Sequence, residues 1–364
     1  MNVSRRALQR AILTGLRVSG LRWLLAPIAG GRGAILTFHR VREAAPESFA
    51  PNAHLEVTPA FLAEIIRWAR DSGIDIVTLD EALERVRTPG SRRFVVLTFD
   101  DGFRDNLEVA LPVLREGGAP FTIYVATGFI DRTANPWWMT LEEAVRNSAA
   151  IRHPDRSGRI MPSASEVDKA NVFSELAEWL QAVSEDEQRV AADWLAMEHA
   201  VDVKALVADA FMDWEELAAL AAEPLATIGA HTHNHVAVAK LAPAEARAEI
   251  AKSADLLERR LGRRPRHFAY PYGYPSAVGP RDYRIVADLG FASAVLTSPG
   301  VLREGSLETP TALPRISMNG HFQKRRYLDT LASGVPFLPA RLRASLGGRS
   351  GPAPATATAS ASSG

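Results

Sequence analysis

The segment Val95-Val-Leu-Thr-Phe-Asp-Asp-Gly102 joins a run of apolar residues to two adjacent carboxylates and a glycine. A short apolar run rich in β-branched residues is typical of a strand buried on both faces, and a glycine lets the backbone turn sharply after it. Two neighbouring carboxylates repel each other unless a cation or a proton separates them. Asp-Asp-Gly alone is a common solvated turn, but a preceding buried strand favours a functional site.

Repeated β-then-α units extend in both directions from this segment. Helical periodicity predicts helices at Pro59–Ser72, Asn106–Glu116, Pro243–Leu261 and Arg281–Leu289, with C-terminal caps at Gly73, Gly117, Gly262 and Gly290. The predicted strands are Ala34–His39, Asp75–Leu79, Phe94–Asp100, Phe121–Thr127, Ala226–His231, His267–Tyr272 and Ala292–Thr297. This alternation predicts an α/β fold with a parallel sheet, either doubly wound or closed as a barrel.

One interval, 131–225, interrupts the alternation, because it contains no clear strand and is predicted to form several helices. These helices are Thr140–Asn147, Ser165–Ser184, Glu185–His199 and Trp214–Ala222. We interpret the interval as a helical insertion in one domain spanning 34–320, since strands resume after it. Residues 321–350 are assigned to a C-terminal extension, and 351–364, which lack charge and large apolar side chains, are predicted to be disordered.

The composition narrows the chemistry available to the chain. The 364 residues include no cysteine, which excludes disulfides, thiol nucleophiles and cysteine-ligated metals, so any metal site must use His, Asp and Glu. The 42 basic and 42 acidic residues give no net charge, which argues against nucleic acid as the main partner.

Residues 1–33 differ from the rest in charge, because they contain six arginines and no acidic residue. Their apolar stretches are cut by Arg17 and Arg22, so neither reaches the roughly 20 residues of a membrane span or resembles a signal peptide. The pattern predicts a basic amphipathic helix that contacts an anionic membrane surface, or equally one that packs on the domain or frays. The expected location is the cytoplasm or the cytoplasmic face of the membrane.

A second cluster lies in Thr227-Ile-Gly-Ala-His-Thr-His-Asn-His235, which holds three of the nine histidines. His231 and His235 are four residues apart, so one helical turn after the strand would bring both imidazoles to one face, with His233 on the other. The carboxyl ends of parallel strands meet at one edge, where the aspartates also lie. Two histidines and one carboxylate suit Zn²⁺ or a similar divalent ion.

Thr98-Phe-Asp-Asp-Gly102 and His231-Thr-His-Asn-His235 together resemble two motifs of the polysaccharide deacetylases that share the NodB homology domain, also called carbohydrate esterase family 4. The resemblance covers roughly residues 34–320. It implies a distorted (β/α)7 barrel, a divalent metal with Zn²⁺ favoured, and hydrolysis of an acetyl group, most readily N-acetyl, on a polysaccharide or glycan precursor.

The resemblance also implies roles for individual residues. Asp100 corresponds to the general base, and Asp101, His231 and His235 correspond to the metal ligands. The run Phe268-Ala-Tyr-Pro-Tyr-Gly273 is similar to a third motif, in which the backbone N–H of Tyr272 contributes to the oxyanion hole and Pro271 is assigned to substrate binding.

Two positions depart from the family pattern. The arginine that orients the base in many members is replaced by Ala269. We assign Arg315, in Leu313-Pro-Arg-Ile316, to this role from another direction, the alternative being an ordinary surface arginine. No histidine lies in 298–320, where the family's catalytic histidine is usually found. Thr37-Phe-His-Arg-Val41 resembles an early element of members with permuted motif order, which makes His39 the expected general acid.

Trp137 and Trp138 open the helical insertion on the catalytic side and are assigned to substrate binding, by stacking on sugar rings, although they could instead anchor the insertion. Three functions fit the sequence. They are a metal-dependent sugar deacetylase, a relative acting on a non-sugar amide, and a non-catalytic carbohydrate-binding protein on the same scaffold.

Overall fold

A computed structural model describes residues 3–43 and 49–347, so the predicted disorder of 351–364 lies outside the described residues. The strands are β1 (Gly33–Phe38), β2 (Arg40–Val41), β3 (Glu56–Val57), β4 (Asp75–Ile76), β5 (Phe94–Phe99), β6 (Phe121–Val125), β7 (Ala150–Arg152), β8 (Ile160–Pro162), β9 (Ala226–Ala230), β10 (His267–Ala269), β11 (Ser293–Pro299) and β12 (Leu313–Ser317). The α-helices are α1 (Val3–Val18), α2 (Leu21–Ala29), α3 (Pro59–Asp71), α4 (Leu79–Arg87), α5 (Leu111–Glu116), α6 (Thr127–Ile130), α7 (Trp137–Asn147), α8 (Glu166–Ala182), α9 (Glu185–Glu198), α10 (Val203–Ala210), α11 (Trp214–Ala221), α12 (Pro243–Leu261), α13 (Pro280–Asp288), α14 (Arg325–Ala332) and α15 (Leu338–Gly347). A π-helical turn at Asn106–Ala110 precedes α5.

Seven parallel strands form a closed barrel in the order β1-β12-β11-β10-β9-β6-β5, and β5 pairs with β1 to complete the ring. The predicted α/β class and the (β/α)7 barrel are therefore confirmed. The barrel interior contains alternate residues of the strands, among them Ile35, Val96 and Tyr124. Their neighbours Leu36 and Leu97 pack outward against the surrounding helices.

The predicted number of barrel strands, seven, was right, but one member of the set was wrong. Of the predicted strand Asp75–Leu79, only Asp75–Ile76 is extended, and it pairs with the beginning of β5 outside the ring. Val77 and Leu79 belong to the cluster inside the barrel, because α4 covers its amino end. The seventh barrel strand, which the sequence did not indicate, is β12, and it pairs with both β11 and β1.

The insertion is largely helical, as predicted, with two differences. β7 and β8 form an antiparallel hairpin in the interval expected to lack strands, and α10 adds a helix that the periodicity did not indicate. The insertion has its own apolar cluster, in which α7 packs against α8 and α9. A smaller correction concerns the cap after α5, where Gly118 rather than Gly117 has a positive φ, of 57°.

The two terminal regions pack on the side of the barrel. α1 lies against α14, with Leu13 buried, and Arg10 donates a hydrogen bond to the carbonyl of His321 at 2.9 Å. No single helix among residues 3–43 and 49–347 has the length and hydropathy to cross a membrane. Arg10–Val18 and Trp23–Ala29 meet those criteria only when taken together, as a pair bent by 108°.

Candidate active site

The two predicted aspartates lie at the carboxyl end of β5, where the strand becomes a tight turn. The Asp100 N–H donates to the carbonyl of Phe38 at 2.9 Å, which fastens this turn to the end of β1. Asp101 has a φ of 75°, and Gly102, with a φ of 84°, continues the turn. A positive φ is unfavourable for a residue with a Cβ, so the surrounding structure holds Asp101 in a strained backbone conformation.

His231 and His235 come together as predicted, but not through a helical turn. Residues 231–237 form an irregular loop after β9, in which Thr232 and His235 have φ of 57° and 55°. His233 points away from the other two histidines, and its Nδ1 lies 3.0 Å from the hydroxyl of Thr127. The loop therefore achieves the expected pairing through two left-handed residues instead of helical periodicity.

Asp101, His231 and His235 form a buried three-residue centre in which one ligand atom of each lies within 4.8 Å of the others. The Asp101 Oδ1 is 3.4 Å from His231 Nε2 and 3.2 Å from His235 Nε2. Although burial alone would favour the neutral acid, the two imidazoles hold the pKa of Asp101 well below its ordinary value. Burial lowers the pKa of His235, which keeps that ring neutral.

The arrangement of donor atoms in this centre fits a metal ion. His231 Nδ1 lies 2.7 Å from the Ala269 carbonyl, which only accepts hydrogen bonds, so Nδ1 carries a proton and Nε2 is the ring nitrogen left to bind an ion. Nε2 faces Asp101 Oδ1, a buried oxygen that accepts no hydrogen bond from any described residue. Converging lone pairs of two imidazoles and a carboxylate are the donor set that a divalent cation such as Zn²⁺ takes.

Arg315 forms a two-point ion pair with Asp100 inside the barrel. Its Nη1 and Nη2 each lie 2.7 Å from one carboxylate oxygen, and its Nε donates to the Leu296 carbonyl at 2.9 Å. Burial would raise the pKa of Asp100, but Arg315 more than offsets this, and the pKa lies below its ordinary value. Arg315 is only 1% exposed, and it reaches Asp100 from β12, two strands along the barrel from Ala269 on β10.

His39 follows β1 and lines the same cleft as Asp100 and Asp101. The segment after β5 holds this loop in place, because Asn106 Nδ2 donates to the His39 carbonyl at 2.8 Å. Asp105 accepts hydrogen bonds from the Val41 N–H at 3.0 Å and from Arg40 at 2.8 Å. The structure thus brings His39 to the site, as the permuted motif order implies.

The turn after β10 presents Tyr272 to the cleft. Tyr272 and Gly273 have φ of 63° and 59°, and the Gly273 N–H donates to the Pro271 carbonyl at 2.7 Å. Thr297 fixes the turn by donating its hydroxyl to the Tyr272 carbonyl at 2.6 Å. No acceptor in the described part of the chain takes up the Tyr272 N–H, which is the group expected in the oxyanion hole. Pro271 shapes the turn and does not line the cleft.

Trp137 and Trp138 connect the insertion to the site. The Trp137 Nε1 donates to the Tyr272 hydroxyl at 2.8 Å, and the ring of Trp138 lies 4.9 Å from that of His235. Both indoles are largely buried, so each anchors the insertion as well as lining the cleft. Their predicted stacking on sugar stays a prediction.

The cleft has a volume of about 290 Å³ and includes residues that the sequence did not single out. Phe173, Ala177 and Gln181 of α8 line one wall, and their four-residue spacing was the signal that could have identified this helix face. His54 also lines the cleft, with Nδ1 donating to the Pro51 carbonyl at 3.1 Å. Burial lowers the pKa of His54 to about 4, so this ring is neutral near pH 7.

The comparisons with known proteins identify the family. The family described as polysaccharide deacetylase matches residues 87–292, which is more than half of the chain. The chain therefore belongs to the polysaccharide deacetylase family. The match includes the turn after β5 and the histidine loop, whereas His39 and Arg315 lie outside it, so their assignments rest on the geometry.

Individual relatives are distant. The Bacillus subtilis (strain 168) protein YxkH, provisionally named a polysaccharide deacetylase, is 38% identical over 63 residues, which are 16% of this chain and 22% of that protein. The structure of the Streptococcus pyogenes deacetylase PplD in complex with acetate aligns with a TM-score of 0.54 at 19% identity, over 82% of this chain and 97% of that one. A de-N-acetylase from Aggregatibacter actinomycetemcomitans aligns with a TM-score of 0.52 at 14% identity, over 82% and 99%. These structural similarities support the fold.

Proposed function

We propose that the protein is a divalent-metal-dependent hydrolase that removes N-acetyl groups from a polysaccharide or glycan precursor. The observation that carries this proposal is the buried centre of Asp101, His231 and His235 beside the Asp100–Arg315 ion pair. Asp101, His231 and His235 would hold the metal, with Zn²⁺ the ion that best matches two imidazoles and one carboxylate. When bound, such an ion lowers the pKa of water and polarises a carbonyl group.

Asp100 is suited to act as the general base. Its carboxylate is ionised, because Arg315 keeps its pKa low, and its orientation is fixed by two parallel hydrogen bonds. A base held in one orientation removes a proton from the attacking water without first reorganising. Arg315 is therefore a positioning residue that acts through Asp100.

His39 is suited to act as the general acid, which donates a proton to the leaving amine. An amine is a poor leaving group unless it is protonated as the C–N bond breaks, so amide hydrolysis needs a general acid. His39 and His54 both line the cleft, but the low pKa of His54 and its bond to a backbone carbonyl leave it unsuited to donate a proton near pH 7. This division of roles supports N-acetyl over O-acetyl chemistry, and the similar Aggregatibacter protein is itself described as a de-N-acetylase.

The Tyr272 N–H is placed to stabilise the oxyanion that forms on the acetyl group. It has no acceptor among the described residues, and the positive φ of Tyr272 is maintained by Thr297 and Gly273. An N–H held in position before the reaction stabilises developing negative charge without reorganisation during it. The Trp137 contact with the Tyr272 hydroxyl gives the turn a further support.

Acetate release from an N-acetylated oligosaccharide, measured together with bound metal, tests the proposal. We expect Asp100→Asn to keep the metal and lose hydrolysis, and His231→Ala to lose both, while Met197→Ser on the exposed face of α9 changes neither. Full activity with unchanged metal content in either site variant would contradict the assignment. Release only from small non-sugar amides would assign a different substrate, and binding of oligosaccharide without release by the wild type would exclude catalysis.

A further inference from the structure

The surface of α1 and α2 combines exposed apolar side chains with an excess of arginine. Within the described residues, six of the eleven exposed large apolar side chains lie between residues 12 and 28. They are Ile12, Val18, Leu21, Trp23, Leu24 and Ile28. Exposed apolar side chains concentrated in one short segment mark an interaction surface, whereas scattered single ones do not.

The exposed face of α2 is the most apolar part of this surface. Trp23 is 71% exposed, Leu24 73% and Ile28 62%, although α2 is firmly attached to the barrel at its C-terminal end. Ala29 is fully buried there, and the Arg32 N–H donates to the Leu302 carbonyl at 2.8 Å. The apolar face is thus presented by a docked helix.

The charge around this face is positive. Residues 1–33 contain six arginines and no acidic residue, and Arg17 is exposed on α1. Arg303 and Arg341 lie at the C-terminal end of α2, with side-chain nitrogens 3.4 and 3.3 Å from the Ile28 carbonyl. A crevice lies behind α2, and one acidic residue, Asp329, is among the residues that line it. The Asp329 carboxylate accepts a hydrogen bond from Trp68 Nε1 at 2.8 Å.

We propose that the exposed face of α1 and α2 binds the surface of an anionic lipid bilayer. An apolar helix face flanked by arginines inserts at the boundary between headgroups and acyl chains, while the arginines bind lipid phosphates. The 108° bend between the two segments and the attachment of α1 to α14 favour a surface contact over a membrane span. An anionic bilayer offers phosphates to the arginines and acyl chains to the apolar residues.

The α2 part of this surface lies away from the catalytic cleft. α2 leads directly into the amino end of β1, whereas Asp100, Asp101 and His39 lie at the carboxyl ends of the strands. Substitutions on α2 should therefore leave hydrolysis of a soluble substrate unchanged, and membrane binding can be measured independently of catalysis.

Flotation of the full chain with lipid vesicles tests the inference. We expect binding to vesicles of phosphatidylcholine mixed with phosphatidylglycerol, weaker binding at high salt, and little binding to phosphatidylcholine alone. Trp23→Ala combined with Leu24→Ser should lower binding by about tenfold or more. Arg17→Gln should lower it severalfold on the anionic vesicles.

Met197→Ser is the matched control, because Met197 is 74% exposed on a distant helix, and it should bind vesicles like the wild type. Equal melting temperatures of all variants would show that they fold alike. Failure of the wild type to bind anionic vesicles would overturn the inference. It would also be overturned if light scattering showed a dimer that the Trp23 and Leu24 substitutions convert to a monomer while vesicle binding is unaffected, because a second copy of the chain would then cover this face.

Discussion

Replacing Arg315 with methionine removes the cation from a fully buried ion pair and retains most of the side-chain volume. In the native protein, Arg315 contacts Asp100 through two nitrogens at 2.7 Å, and Nη1 also donates to the Thr98 hydroxyl at 3.2 Å. The substitution leaves the Asp100 carboxylate buried without its partner. Breaking a buried pair in this way costs about 3–5 kcal/mol of unfolding free energy.

Urea unfolding with a chelator present measures this cost without a contribution from bound metal. The control is Arg104→Met, which breaks the partly exposed pair between Arg104 and Glu216 and should cost about 1 kcal/mol or less. Combining Arg315→Met with Asp100→Asn should recover much of the loss, because the double variant leaves neither charge alone in the barrel. The coupling free energy of this cycle should be on the order of 2 kcal/mol or more.

Activity provides the second readout of the same substitution. A base displaced by about 1 Å loses on the order of 100-fold in rate, so we expect a fall of that size in kcat for Arg315→Met, with KM little changed. Arg315→Lys should retain an intermediate rate, because an ammonium group supplies the charge but cannot bond both oxygens of Asp100 in parallel. An Arg315→Met variant with near-native kcat and a stability loss below about 1 kcal/mol would refute the positioning role.

The remaining predictions concern the turn, the general acid and the metal. Gly273→Ala should lower both stability and activity, since φ is 59° and an added Cβ would lie 2.5 Å from the Thr297 nitrogen; an unchanged melting temperature would contradict this. His39→Ala should abolish deacetylation of an amide, whereas His54→Ala should retain most of it, as kcat measurements on both variants would show. Chelation should lower the melting temperature by several degrees, because an ion at 100 times its Kd contributes about 2.7 kcal/mol, and calorimetry with added Zn²⁺ should reverse the change.

The parts of the fold with simple sequence patterns could be predicted, and β12 shows where the patterns fail. Leu313–Ser317 contains Pro314, which is unfavourable in a central strand, and Arg315, a charge that normally excludes burial. Both features argue against a barrel strand. Only the tertiary structure, which places Asp100 opposite Arg315, makes a buried arginine stable there.

The candidate site was predictable where residues follow strand ends, because parallel strands converge at one edge. Asp101 and His231 were located in this way, and the structure brings them together. The path of the chain between the histidines was not predictable, since left-handed φ at Thr232 and His235 has no signature in the residue types. His54 was missed because it lies in a short 3-10 helix within the long connection between β1 and α3, well beyond the end of the strand.

The central claim is that Asp101, His231 and His235 hold a catalytic divalent metal. Zinc-edge anomalous diffraction from crystals grown with Zn²⁺ tests it most directly. The account predicts one strong peak about 2.0–2.2 Å from an Asp101 oxygen and from a nitrogen of each histidine, with His39 and Asp100 facing it across the cleft. No peak at this centre, or a peak ligated by other residues, would contradict it.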